Sequence, residues 1–162
     1  MIKVIPAILA KTKAEFDKKV ERLTGLVDWI QVDIYPGLYW RLDVPFKVEA
    51  HVMLPNPDLN EFQKADRIVV HQGVVSWAQK DYALVLAVKA GKSGQEFDVK
   101  ALDEIRKLRQ EHPYIDIAVD GGINLETGKL AAEAGANILI SGSYLFGGDV
   151  QTRISELRQI KH

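Results

Sequence analysis

Residues 115–124 strongly constrain the fold, because a short strand pattern there runs directly into two glycines and a helix start. Isoleucine or valine occupies alternate positions of 115–119, as a strand prefers. Asp120 stands where this strand should end, and Gly121-Gly122 allow a tight turn and the close approach of a ligand. Asn124 can cap the helix that follows. The arrangement suggests chemistry beside an anion site, although a turn with a surface aspartate has the same pattern.

The succession of strand, loop and helix repeats along the chain and favours an α/β fold with a parallel sheet. Strands are predicted at 2–9, 28–34, 48–54, 67–71, 83–89, 115–119 and 137–141. Helices are predicted at 14–26, 99–110, 125–134 and 150–160, with shorter helical segments at 58–64 and 74–80. No linker or shift in composition divides the chain, so residues 1–162 are expected to form one domain.

Composition excludes several classes of function. The net charge of -1 gives a nucleic-acid partner no electrostatic support. The chain has no cysteine, which excludes disulfides, thiolate metal sites and a cysteine nucleophile. No apolar run approaches the ~20 residues of a membrane helix, and residues 1–6 do not resemble a signal peptide. We therefore expect a cytoplasmic protein with no membrane partner.

Four polar residues lie in or at the ends of three predicted strands. Asp33 and Asp120 end strands, His51 lies in a third strand, and Gln31 shares a face with Asp33 because strand residues alternate. Such oxygen and nitrogen ligands could hold a divalent cation. The two aspartates could instead act as an acid and a base on opposite sides of a carbon. Helix capping by the aspartates and a satisfied interior histidine are the structural alternative.

Three loops of small residues follow the last three predicted strands, at 91–94, Gly121-Gly122 and Gly142-Ser143. Backbone N–H groups of such loops can bind a phosphate, and barrel phosphate sites lie after the late strands. Three tight turns without a ligand are the alternative.

These residues together resemble the ribulose-phosphate 3-epimerase family, most strongly over 84–157. The similar segments in this region are Gly94-Gln95-Glu96-Phe97, Val119-Asp120-Gly121-Gly122-Ile123, Ala134-Gly135-Ala136 and Gly142-Ser143. In the first half they are Ile5-Pro6-Ala7-Ile8-Leu9-Ala10, Gln31-Val32-Asp33, Ala50-His51-Val52-Met53 and Asn56-Pro57.

The resemblance implies a TIM-type (β/α)₈ barrel and an isomerase of pentose phosphate metabolism that inverts C3 of a ketopentose 5-phosphate. Asp33 and Asp120 would be the acid/base pair, and both would bind a divalent metal together with His51. The metal would be zinc, manganese, iron or magnesium. Met53 would line the pocket over the reacting carbons. The residues expected to bind the phosphate are Gly94, Gly121, Gly122, Gly142 and Ser143.

The chain departs from the family pattern at several positions. Gln31 replaces a histidine ligand; its carbonyl can bind a metal, but more weakly and with a preference for harder ions than zinc. Ala7 and Ala10 replace small hydroxyl residues, and Pro36 replaces an acidic one. The loop 89–93 also differs. A phosphosugar-binding barrel with lost or changed catalysis is therefore a second hypothesis, and an aldolase that uses Lys89 is a third.

The chain is short for such a barrel, since these domains run to about 250 residues and rarely fall below about 200. The missing parts are a helix between Gly37 and Val48 and a whole βα unit between His71 and Ala83. We therefore expect a reduced barrel with about seven recognisable strands. The aromatic side chains that flank the missing parts are expected to cover the core or to form a homodimer interface. They are Tyr39, Trp40, Trp77 and Tyr82.

Overall fold

The computed structural model describes residues 1–88 and 94–161. Its strands are β1 (Lys3–Ile8), β2 (Trp29–Ile34), β3 (Lys47–Val52), β4 (Arg67–Val70), β5 (Val75–Gln79), β6 (Tyr82–Leu86), β7 (Asp116–Asp120) and β8 (Ile138–Ser141). Its α-helices are α1 (Lys13–Leu23), α2 (Ala101–Glu111), α3 (Leu125–Ala134), α4 (Ser143–Phe146) and α5 (Val150–Arg158), and a 3₁₀ turn spans Leu59–Phe62. Lys89 and most of the predicted loop 91–94 lie outside the described residues.

The eight described strands form one sheet in the order β4-β3-β2-β1-β8-β7-β6-β5. Each recorded strand pair is parallel except β5 with β6. The two ends of the sheet, β4 and β5, follow each other in the chain, and Val69 and Ala78 contribute to the same apolar cluster inside the barrel. The sheet therefore curls into a nearly closed barrel, which confirms the prediction of a reduced TIM-type fold.

Strand β5 corrects the sequence prediction, which assigned a short helix to 74–80 and counted seven strands. Ser76 is buried, whereas Trp77 is exposed, as expected for alternate positions of a strand. So short a run does not show whether its apolar residues repeat with the period of a helix or of a strand. The pairing of β5 with β6 determines its conformation. This antiparallel strand occupies the end of the sheet where the sequence lacks a βα unit.

Three of the four aromatic side chains predicted near the missing parts cover the core. The Tyr39 ring packs edge-on against Phe16 at 5.7 Å between centroids, and Trp40 packs against Phe62 at 5.5 Å. Tyr82 lies buried inside the barrel. Trp77 remains partly exposed on β5. The homodimer stays a prediction.

Helix α1 illustrates how sequence pattern and packing agree. Thr12 caps its first turn by accepting a hydrogen bond from the Glu15 N–H, and Phe16, Val20 and Leu23 are buried, as their helical spacing predicts. One apolar cluster lies between the helices and the strands, and a second, smaller cluster fills the barrel interior. Among the described residues, no helix is long and apolar enough to cross a membrane.

Candidate active site

A pocket opens at the carboxyl ends of the parallel strands, where barrels place their sites. Nine of the ten site residues predicted from the sequence line it: Asp33, His51, Met53, Gly94, Asp120, Gly121, Gly122, Gly142 and Ser143. The tenth, Gln31, is fully buried on β2 and contacts the carboxylates from below the pocket surface. The fold therefore brings together residues that lie up to 112 positions apart in the sequence.

Asp33, His51 and Asp120 form a compact group. Parallel pairing of β2 with β3 sets Asp33 beside His51, and Asp120 ends β7 across the barrel. Nδ1 of His51 lies 3.3 Å from Oδ1 of Asp33 and 3.7 Å from Oδ2 of Asp120. Of these side chains, that of His51 is fully buried, and each carboxylate keeps a small exposed fraction toward the pocket.

Gln31 links the two carboxylates. Its Nε2 donates one hydrogen bond to Oδ1 of Asp33 and another to Oδ2 of Asp120, both of 2.8 Å. The amide oxygen, Oε1, is buried and has no hydrogen-bond partner among the described residues. As oriented here, the side chain presents donors and not its carbonyl to the carboxylates. Metal ligation by Gln31 would require the amide to present that oxygen, because only the carbonyl can act as a ligand.

Burial and the proximity of like charges make Asp120 a weak acid in this site. Burial raises the pKa of Asp120 most, and the nearby Asp33 carboxylate raises it further, whereas His51 and the Gln31 hydrogen bond lower it. The net effect raises the pKa to about 7. For His51, burial lowers the pKa, but the Asp33 hydrogen bond and the surrounding carboxylates outweigh it and raise the pKa above its usual value. Near neutral pH the group can therefore hold or release a proton.

The same three residues could hold a metal ion. One ligand atom from each of Asp33, His51 and Asp120 can be chosen so that all lie within 4.8 Å of one another. Two carboxylates and an imidazole suit manganese, iron or zinc, and an added amide oxygen would favour the harder ions. The donor set thus fits a divalent cation, and a cation would also offset the repulsion between the carboxylates.

The Gly121-Gly122 turn lines the pocket and is tightly packed. Gly122 has a φ of +64°, and a Cβ there would lie 2.6 Å from the Phe97 backbone nitrogen. Asn124 and Thr127 form a capping box that fixes the start of α3 directly after this turn. Packing alone therefore requires glycine here, and the binding of phosphate by the glycine loops stays a prediction.

Beneath the carboxylates lies a charged pair that the sequence analysis missed. Glu49 is fully buried, and its Oε2 accepts a hydrogen bond of 2.8 Å from Arg67 Nη1. The guanidinium also lies 3.7 Å from the centre of the Tyr82 ring. The available signal was position, because Glu49 stands two residues before His51 and so faces the same barrel interior. Lys19, which lines the pocket from α1, was missed as well.

Comparisons with known proteins point to one family of sequences. The sequence model of the Ribulose-phosphate 3 epimerase family matches residues 74–146. The ribulose-phosphate 3-epimerase of Methanocaldococcus jannaschii is 34% identical over 151 aligned positions, which take in 69% of this chain and 64% of that protein. The chain thus spans less than two thirds of that relative.

The ribulose-phosphate 3-epimerase of Bacillus subtilis is 29% identical over 217 positions that cover 99% of this chain and 100% of that one. Since this chain has 162 residues, at least 55 of those positions have no counterpart in it, which agrees with the internal shortening seen in the fold.

Two solved structures share the fold. A 3-hexulose-6-phosphate synthase superposes with a TM-score of 0.55 at 15% identity and 99% coverage of both chains. A thiamine phosphate pyrophosphorylase from Pyrococcus furiosus gives 0.52 at 19% identity, with 98% of this chain and 95% of that chain covered. At these identities the similarity concerns the barrel alone.

Proposed function

Because this chain belongs to the ribulose-phosphate 3-epimerase family, we propose that it inverts C3 of a ketopentose 5-phosphate, interconverting ribulose 5-phosphate and xylulose 5-phosphate. The observation that carries the proposal is the convergence of Asp33 and Asp120 on His51 at the pocket. Two carboxylates so close together can serve one carbon, one as base and the other as acid.

The proposed reaction moves protons between C3 and the two carboxylates. One aspartate accepts the C3 proton as electrons move into the enediolate, and the other donates a proton to the opposite face of C3. In the metal-free site the pKa of Asp120 is raised to about 7, so this carboxyl group is present in both protonation states at neutral pH. Met53 would lie over the reacting carbons.

Asp33, His51 and Asp120 would hold a divalent metal, with Gln31 as a weaker fourth ligand through Oε1. When bound, such a metal supplies positive charge that stabilises the enediolate oxygens. The glycine loops, Gly94, Gly121-Gly122 and Gly142 with Ser143, would bind the phosphate through backbone N–H groups. The amide at position 31 favours manganese or magnesium over zinc as this metal.

A second candidate is a barrel that binds a sugar phosphate without epimerising it. Gln31 presents Nε2 and not Oε1 to the carboxylates, and Ala7 in the pocket has no hydroxyl to offer a substrate. The first observation favours weakened metal binding, and the second favours the loss of a hydrogen bond to the substrate. The third possibility raised by the sequence, an aldolase that uses Lys89, depends on a residue outside the described ones.

Hydrogen exchange at C3 of ribulose 5-phosphate in heavy water tests the proposal. Metal-stripped protein would be assayed alone and then with Mn²⁺, Zn²⁺, Fe²⁺ or Mg²⁺. We expect metal-dependent exchange that Asp120→Asn reduces by at least about a hundredfold, because the variant lacks one of the two proton-transfer groups. Binding of the sugar phosphate without exchange, whatever the metal, would favour the second candidate.

A further inference from the structure

Lys19 lines the pocket from helix α1, an element that carries neither of the catalytic carboxylates. Among the described residues that line the pocket, it is the one lysine or arginine. Its side chain is mostly buried, with 22% exposed, so its position is set by the fold. Its neighbour Lys18 is exposed on the same helix and does not line the pocket.

Two acceptors hold the Lys19 ammonium in place. Nζ donates to the backbone oxygen of Leu9, just after β1, at 2.7 Å, and to Oε1 of Glu15 at 3.0 Å. Glu15 is itself fixed, because Oε2 accepts the Lys11 N–H at 2.9 Å. An ammonium has three N–H donors. Among the described residues these two bonds occupy two of the donors, and the third can serve a ligand in the pocket.

The ammonium lies next to the loop predicted to bind phosphate. Nζ lies 5.4 Å from the centre of the Phe146 ring, and Phe146 ends the single turn of α4 that begins at Ser143. One turn further along α1, Arg22 donates to the backbone oxygens of Phe146 and Gly148 at 2.9 and 2.7 Å. Helix α1 thus holds this turn with one basic side chain and faces the pocket with another.

The charge balance of the pocket calls for a cation at this place. A phosphate group carries close to two negative charges at neutral pH, and it would enter a pocket that already contains Asp33 and Asp120. The glycine loops contribute dipoles but no net charge. We propose that Lys19 is a phosphate-binding residue that sets the preference of this pocket for phosphorylated over neutral sugars. This inference rests on the proposed function for the identity of the sugar phosphate.

Calorimetric titration tests the role of Lys19 without requiring turnover. Ribulose 5-phosphate, inorganic phosphate and unphosphorylated ribulose would be titrated into the unaltered protein, Lys19→Gln, Lys19→Arg and the matched control Lys18→Gln. Loss of a charge-assisted hydrogen bond should weaken both phosphate ligands about tenfold or more in Lys19→Gln. Lys19→Arg should keep most of the affinity, Lys18→Gln all of it, and binding of ribulose should not change.

The inference would be overturned if Lys19→Gln and Lys18→Gln bound both phosphate ligands with equal affinity. It would also be overturned if Lys19→Gln lost as much affinity for ribulose as for ribulose 5-phosphate, because that result would indicate a general disturbance of the pocket. Circular dichroism of each variant checks the fold. Where exchange at C3 occurs, KM for ribulose 5-phosphate should rise in Lys19→Gln more than kcat falls. Affinity that depends on Lys19 in a protein without C3 exchange would refute the proposed reaction and leave the phosphate site standing.

Discussion

At the scale of single residues, the unusual feature is a largely buried aspartate whose pKa is raised to near neutrality. Burial and the Asp33 charge raise the pKa of Asp120 from its usual 3.8 to about 7. The folded protein therefore holds this proton over a pH range in which the unfolded chain releases it. The resulting stabilisation is complete below about pH 4 and is lost as the pH rises to about 7.

Metal-free protein should accordingly become less stable between about pH 4 and 7, by at most about 1.4 kcal/mol per pH unit from this residue. Asp120→Asn removes the titrating group with little change in shape, so its free energy of unfolding should lack this part of the slope. Urea unfolding of both proteins with a chelator, at pH values from about 5 to about 8, measures the difference. If the free energy of unfolding changed with pH by the same slope in both proteins, Asp120 would be ionised throughout this pH range. Added divalent metal should restore stability at the higher pH.

The catalytic candidates could be predicted because residue type and position agree. Asp33 and Asp120 end predicted strands, and parallel strands place their carboxyl ends at one edge. Glu49 could not be recognised in the same way, since its role depends on Arg67 in another strand. In the sequence, Lys19 is one of several basic residues on α1. It differs from Lys18 only in lying beside the buried face of the helix that includes Phe16.

At the scale of secondary-structure elements, the pairing of β3 with β4 encloses a charge pair. Glu49 and Arg67 are direct neighbours across the two strands, and the Glu49 carboxylate is fully buried. Such a pair contributes little net stability, but removal of one partner leaves a buried charge uncompensated. The ring of Tyr82 further fixes the guanidinium.

Arg67→Met should therefore lower the free energy of unfolding by about 3–5 kcal/mol, because it leaves the Glu49 carboxylate without its partner. The double variant Glu49→Gln with Arg67→Met should recover much of that loss. Arg106→Met, which removes one side of an exposed ion pair with Asp103, is the control and should change stability little. Urea unfolding measures all three. An Arg67→Met variant as stable as the control would indicate that Glu49 is protonated or hydrated in the barrel.

The sequence analysis predicted a helix where β5 lies, and the reason for this error is long-range. Residues 75–79 are too few to show a helical or a strand period, and their conformation depends on pairing with β6. The four larger helices were predictable because each has an apolar face or a capping residue of its own. The parallel strands were predictable because their apolar runs are bounded by turn residues.

At the scale of the whole molecule, the question is whether a barrel shortened by internal deletions still folds as one unit. The sheet ends at β4 and β5, but residues from both ends meet in the inner apolar cluster, and one outer cluster includes residues from both halves of the chain. We propose on this basis that residues 1–162 form a single cooperative domain.

The three tryptophans provide separate reporters of this cooperativity. Trp29 lies on β2 near the Lys3 and Arg67 side chains, Trp40 packs on Phe62, and Trp77 lies on β5. Variants with one tryptophan each, the others replaced by phenylalanine, should show fluorescence midpoints in urea that coincide with each other and with circular dichroism. The reason is that loss of any strand opens the shared interior. A lower urea midpoint for the variant that retains Trp77 alone would show that the β5–β6 hairpin unfolds separately. A urea midpoint that rises with protein concentration would indicate the homodimer.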